Sequence, residues 1–110
     1  MRLGNGLEEI GKEAFKYCEL LYRIIIPNAV RVIEYGAFSN CSELTTVTLG
    51  GRLVEIGEYA FKWCQFEDIV IPPAVKRIHD TAFKDSSELS SIKFCEEIEE
   101  FVSCEAKRYW

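Results

Sequence analysis

A chain of 110 residues, 48% hydrophobic and 28% charged, has the size and composition of one soluble globular domain. A formal net charge of −5, with Lys and Arg scattered among Asp and Glu, gives no basic stripe to neutralise phosphates, so nucleic acid is disfavoured as a partner. No apolar run approaches the roughly 18 to 20 residues of a membrane span, and the opening "MRLGNGLEEIG" lacks the apolar core of a secretory signal, which points to the cytoplasm.

The first recurring unit carries Leu7, Ile10, Ala14-Phe15 and Cys18, then Leu21, Ile24 and Ile26. The second sets Val30, Ile33, Ala37-Phe38, Cys41, Leu44, Val47 and Leu49 in the same order; the third has Leu53, Ile56, Ala60-Phe61, Cys64, Phe66, Ile69 and Ile71. The fourth carries Val75, Ile78, Ala82-Phe83, Ser86 in place of cysteine, Leu89, Ile92 and Phe94. The Ala-Phe pairs thus fall 23, 23 and 22 residues apart, and the unit reads V-x-x-I-x-x-x-A-F-x-x-C-x-x-L-x-x-I-x-I-P. The single one-residue shortening, between Cys64 and Phe66, must lie in a turn. Inside a strand it would flip every following side chain, yet Phe66, Ile69 and Ile71 resume in register.

Two periods alternate within each unit. Ile10, Ala14 and Cys18, spaced i, i+4, i+8 with Phe15 beside them, predict a short helix. Ile24/Ile26, Val47/Leu49 and Ile69/Ile71 have the period of two of a strand. Pro27 and Pro72-Pro73 end the first and third strands, and Gly50-Gly51 ends the second. One unit buries too few apolar side chains to offset the ordering of its own backbone, so the units must stack.

With the whole unit in view, the chain resembles a leucine-rich-repeat solenoid of the BspA type, whose signature is IP..V..I...AF..C..L. The resemblance runs from Leu3 to Phe101 and implies an α/β leucine-rich-repeat fold of about four repeats of 22 or 23 residues. Short parallel strands would line the concave face and short helices the convex face. The repeats fall at residues 4–26, 27–49, 50–71 and 72–94 of a single domain, with a partial fifth unit and tail at 95–110, where Ile98 and Phe101 continue the apolar pattern. The Asn at the ninth position of the common leucine-rich repeat is replaced here by Ala29, Arg52, Ala74 and Glu97, which puts a buried Asn ladder in doubt. The tail "FCEEIEEFVSCEAKRYW" is similar to endings of leucine-rich-repeat proteins of diatoms and related algae.

Candidate chemistry is sparse. Cys18, Cys41 and Cys64 share one repeat position and should stack in a column about 5 Å apart, the spacing of neighbouring strands. Three equivalent inward positions read as buried free thiols rather than a disulfide or a metal site, for which the paired close spacings are missing. Cys95 and Cys104 lie outside that column and form the more oxidisable pair. His79 takes a surface-turn position, "GNGLEE" is a repeat turn and not a dinucleotide loop, and "EEIEE" is a solvated run. No G-x-S-x-G elbow or Walker loop is present, so no catalytic, cofactor-binding or metal-binding residues are assigned and the chain is read as a non-enzyme without cofactors.

What remains is surface. The resemblance implies that outward strand positions contact a protein partner: Arg23, Thr46, Asp68 and Ser91 in one column, Ile25, Thr48, Val70 and Lys93 in the next. On the other side Tyr17 and Trp63 share a column with Asn40 between them, near Tyr35 and Tyr59. They are either interface anchors or half-buried packing over the Phe layer. The expected role is a protein-interaction scaffold. The alternative is a structural segment of a longer array, or a stack that self-associates through an open N-terminal rung, since Leu3-Gly4 matches the end of a strand otherwise missing.

Overall fold

The computed structural model describes residues 3–97 and 102–107. Among them the strands are β1 (Glu9–Ile10), β2 (Arg23–Ile25), β3 (Val32–Ile33), β4 (Thr46–Thr48), β5 (Glu55–Ile56), β6 (Asp68–Ile71), β7 (Arg77–Ile78), β8 (Ser91–Glu97) and β9 (Val102–Lys107). The predicted strands are β2, β4, β6 and β8. They form two parallel ladders, β2-β4 and β6-β8, with β9 added antiparallel to β8. The strands β4 and β6 lie side by side without ladder pairing among the described residues. That break falls beside the shortened stretch Cys64–Phe66, where Gln65 N–H bonds to Leu44 carbonyl at 3.1 Å. The turn that residues 19–20, 42–43 and 87–88 make at this place in the other rungs is missing from the third, so the residue is lost from a turn, where the sequence reading placed it.

The sequence reading did not anticipate a second sheet. β1, β3, β5 and β7 are parallel, two residues each, and hold Ile10, Ile33, Ile56 and Ile78 in flush register. Each rung is thus a coil with one strand in each sheet, and the apolar side chains of both meet in one core. Three of these isoleucines, Ile10, Ile33 and Ile56, are almost wholly buried.

The short helices are absent: the described residues contain no helix. Residues 11–18 instead make two successive turns, closed by Ala14 N–H to Gly11 carbonyl and Cys18 N–H to Phe15 carbonyl. The third residue of each turn has positive φ, Glu13 at 55° and Tyr17 at 61°, which is the signature of a type II turn. Gly36, Asn40, Tyr59, Trp63 and Asp85 repeat it in later rungs. The alternate amides face along the stack. Glu13, Phe15 and Tyr17 donate to the carbonyls of Tyr35, Ala37 and Ser39 at 2.7 to 2.9 Å, and Gly36, Phe38 and Asn40 donate to Glu58, Ala60 and Lys62. The chain therefore has strand-like bonding to its neighbour over a stretch whose side chains recur at helical spacing. A helix would turn these amides inward upon residues four back and forfeit the contacts between rungs.

Phe15, Phe38, Phe61 and Phe83 stack face to face, with centroids 5.1, 5.3 and 5.7 Å apart and interplanar angles of 8° or less. At the shortened repeat Phe66, standing where the other rungs have Leu, sits edge-on to Phe61 and Phe83. Beside this column the cysteines do more than fill space. Cys41 Sγ donates to Phe15 carbonyl at 3.0 Å and Cys64 Sγ to Phe38 carbonyl at 3.2 Å. Ser86 makes the equivalent bond to Phe61 carbonyl at 2.7 Å and accepts from Cys64 N–H at 3.0 Å. What this position requires is a small buried donor, which explains why serine can replace cysteine in the fourth copy. At Gly50 an added Cβ would lie 2.4 Å from Pro27 carbonyl oxygen, so only glycine lets that rung seat on the one before.

Three stability outcomes are expected. Phe38→Ala should cost about 3–5 kcal/mol in denaturant unfolding, because the ring is wholly buried within the stack. Ser86→Ala should cost roughly 1–3 kcal/mol, since it strips a donor from Phe61 and an acceptor from Cys64, while Cys64→Ser should be nearly neutral. Far-UV circular dichroism of the wild type should lack the helical double minimum.

Candidate functional site

The outward columns stand on the strand sheet. Arg23 pairs with Thr46 and Ile25 with Thr48 across β2-β4, and Asp68 pairs with Ser91 and Val70 with Lys93 across β6-β8. Alternation fixes their direction. In β6, Asp68 and Val70 are exposed while Ile69 and Ile71 are buried, and β2 repeats this with Ile24 inward. Seven of the eight residues are exposed and Ser91 is intermediate. Ile25 at 54% and Val70 at 44% exposure are apolar side chains that the core has not claimed. The face mixes a cation at Arg23, hydroxyls at Thr46 and Thr48, an anion at Asp68 and a second cation at Lys93. The shallow depression at one end of it, lined by Leu3, Asn5, Ile25, Pro27, Asn28 and Arg52 among others, is open to solvent.

The second sheet offers an outward column that the sequence reading missed: Glu9, Val32, Glu55 and Arg77. Glu55 and Arg77 form an ion pair at 3.0 Å. The available signal was the V-x-x-I spacing, but a strand of two residues shows no alternation to read.

On the turn side Tyr17 and Trp63 are 60% and 52% exposed and Tyr35 40%, while Tyr59 is intermediate, so these rings are in part packed and in part open to solvent. Tyr17 and Trp63 occupy positive-φ turn positions whose side chains point away from the core. Tyr35 and Tyr59 meet edge to face at 5.6 Å, with Lys62 and Lys84 ammonium groups 5.2 and 5.9 Å from the Tyr59 ring.

Cys41 and Cys64, the two inner thiols of the column, are unsuited to nucleophilic chemistry. Cys18, Cys41 and Cys64 are free, and burial pushes the Cys41 thiol up to about 11 and the Cys64 thiol further still. His79 lies on the surface with Nδ1 2.9 Å from Thr81 Oγ1, far in role from any of these sulfurs. Among the described residues no three His, Cys, Asp or Glu side chains converge to hold a metal ion. Gly4 opens a turn closed by Leu7 N–H, as Gly50 does with Leu53, so "GNGLEE" is a repeat turn. The side chains of Cys95 and Cys104, like Ile98 and Phe101 and most of "EEIEE", lie outside the described residues.

The raised Cys41 value has a definite sign. The unfolded thiol ionises near its ordinary 9.0 while the folded one stays protonated to about 11, so this contribution is intact below pH 9 and is lost as pH rises through 11. Thermal melts should therefore show Tm falling across that window, less so in Cys41→Ser. Iodoacetamide at neutral pH should leave Cys41 and Cys64 unmodified until the chain is unfolded.

The sequence matches the BspA type leucine rich repeat region (6 copies) over residues 8–105. No curated protein matches the chain. Among solved structures, a leucine-rich repeat protein from Bacteroides ovatus is 37% identical with a TM-score of 0.78, the match covering 83% of this chain and 24% of that one. A leucine rich cell surface protein from Faecalibacterium prausnitzii is 28% identical with a TM-score of 0.71, covering 87% of this chain and 32% of that one. The T. pallidum leucine rich repeat protein is 30% identical with a TM-score of 0.64, covering 83% and 56%. The chain thus spans between about a quarter and just over half the length of these bacterial structures. Leucine-rich-repeat proteins are generally protein-interaction scaffolds, and the family and fold are typically non-enzymatic. No helix among the described residues is long and apolar enough to cross a membrane. The recurring AF..C unit, its turns and flush parallel strands, and the match over residues 8–105 together make this chain a member of the BspA-type leucine-rich-repeat family.

Proposed function

We propose that this chain is a non-enzymatic scaffold that binds a protein partner through the outward face of β2, β4, β6 and β8. The observation that carries the reading is a contrast within each strand. Inward positions stay apolar in every rung, Ile24, Val47, Ile69 and Ile92 in one column and Ile26, Leu49, Ile71 and Phe94 in the next, whereas Arg23, Ile25, Thr46, Thr48, Asp68, Val70, Ser91 and Lys93 change in chemical character from rung to rung while projecting from two parallel ladders. The apolar repeat does not dictate those eight, and strands that fix their spacing suit recognition of an extended surface.

A second reading is favoured by the first rung. Leu7 is 37% exposed and Ala14 is exposed, yet their counterparts Val30, Leu53, Ala37 and Ala60 are wholly buried. Five of the eight exposed large apolar residues of the described chain, Leu7, Tyr17, Leu20, Tyr22 and Ile25, belong to that rung. Such an edge fits a further rung, whether of a longer array or of a second copy.

The test is affinity capture from a lysate of the source organism, comparing the wild type with the triple variant Arg23→Glu, Asp68→Lys, Lys93→Glu by mass spectrometry. A partner retained only by the wild type, at equal Tm, is expected. Identical capture lists would overturn the strand-face reading, and unfolding of the variant would mark the columns as structural. Light scattering across a range of concentrations addresses the second reading, with a strict monomer counting against association through the first rung.

A further inference from the structure

Two of the five cysteines stand apart from the thiol column, and the ladder brings them opposite each other. β9 runs antiparallel to β8 in a register that pairs Cys95 with Cys104, flanked by Phe94 opposite Glu105 and Glu96 opposite Ser103. Directly opposed residues of an antiparallel pair have Cα atoms about 4.5 to 5.5 Å apart. A disulfide spans about 4.4 to 6.8 Å, so either class of pair admits one. A slip of one residue in either strand would face each cysteine with a glutamate, a serine or another non-thiol residue.

We propose that Cys95 and Cys104 form a reversible cross-strand disulfide that staples β9 across the last parallel strand of the stack. β9 is the strand that covers the β8 edge, and an uncovered edge is a template for pairing with another chain. Oxidation would lock this cover in place; reduction would leave it held by the ladder alone. The two inner thiols of the column do not compete. Cys41 and Cys64 are buried and hydrogen-bonded to carbonyls of the preceding rung, and Cys18 sits in the same column.

With a small-molecule disulfide such as oxidised glutathione as oxidant, the electrons balance in two exchanges. One cysteine thiolate attacks the oxidant's S–S bond, forming a mixed disulfide and expelling one glutathione thiolate. The second cysteine thiolate attacks the protein sulfur of that mixed disulfide, forming Cys95–Cys104 and expelling the second glutathione thiolate. The two protein thiols lose two electrons and two protons, and the two departing thiolates take them up as glutathione.

The experiment equilibrates the full chain in a series of reduced and oxidised glutathione ratios, followed by acid quench, alkylation and tryptic mapping. Cleavage after Lys93 and Lys107 releases peptide 94–107, which holds both cysteines and no other. The expected result is an unalkylated form of that peptide lighter by two hydrogens, with Cys18, Cys41 and Cys64 alkylated after unfolding. The oxidised wild type should melt several degrees higher than the reduced, a difference that Cys104→Ser abolishes. A register control, Cys104→Ser combined with Ser103→Cys, should form its disulfide at least tenfold less readily at a given glutathione ratio. The proposal is overturned by alkylation of both residues at the most oxidising ratio, by linkage to a column cysteine or between molecules, or by equal oxidation of the register control.

Discussion

Between Ile10 and Leu21 the chain reverses through two turns in quick succession, and the amides of Glu13, Phe15 and Tyr17 have no acceptor within their own rung. They donate to Tyr35, Ala37 and Ser39 of the next rung, and the same transfer recurs from the second rung to the third. On the opposite side the direction reverses: Arg31 and Glu34 amides donate back to Glu8 and Ile10, and Val54 and Gly57 donate to Arg31 and Ile33. Each rung is thus donor to its successor along one side and acceptor from it along the other. Because an unpaired buried amide or carbonyl is costly, no rung is complete without a neighbour, and the period of the sequence becomes a period in space.

The rest of the core follows from that spacing. Rungs held at ladder distance place equivalent rings about 5 Å apart, so the phenylalanines stack nearly parallel along the axis. They also bring Cys41, Cys64 and Ser86 within reach of the Phe carbonyl one rung earlier: at Phe15 and Phe38 the thiol is a second donor beside the turn amide, and at Phe61 the Ser86 hydroxyl donates while the turn amide of Cys64 bonds to that hydroxyl. Burial holds these thiols protonated, and the hydrogen bond requires the proton. The feature that makes the cysteines useful to the fold is therefore the one that removes them from chemistry.

The outward strand positions do not follow the apolar repeat. The strand face carries charge, hydroxyl and apolar side chains at positions whose spacing each ladder sets. The turn side differs in kind. There Tyr17 and Trp63 stand at positive-φ positions normally left to Gly or Asn, a local conformational cost that the bonds between rungs sustain.

The sequence by itself determined the period, the placement of the core and the family, because a stack repeats its inward contacts and the apolar positions are read directly from the repeat. Ile24, Ile33, Phe38, Cys41 and Ile56 are buried as their register required, and the outward strand residues are where alternation places them. Only the tertiary structure decided what the backbone does between Ile10 and Cys18. Apolar residues four apart mark one face of a helix, but they equally mark the corners of two type II turns, and side-chain spacing cannot tell the two apart. The choice rests on where the amides find partners, and those partners are 22 residues away in sequence and one rung away in space. The second sheet, the break between β4 and β6, and the antiparallel β9 were hidden for the same reason: each is a relation between rungs, which no window within one rung contains.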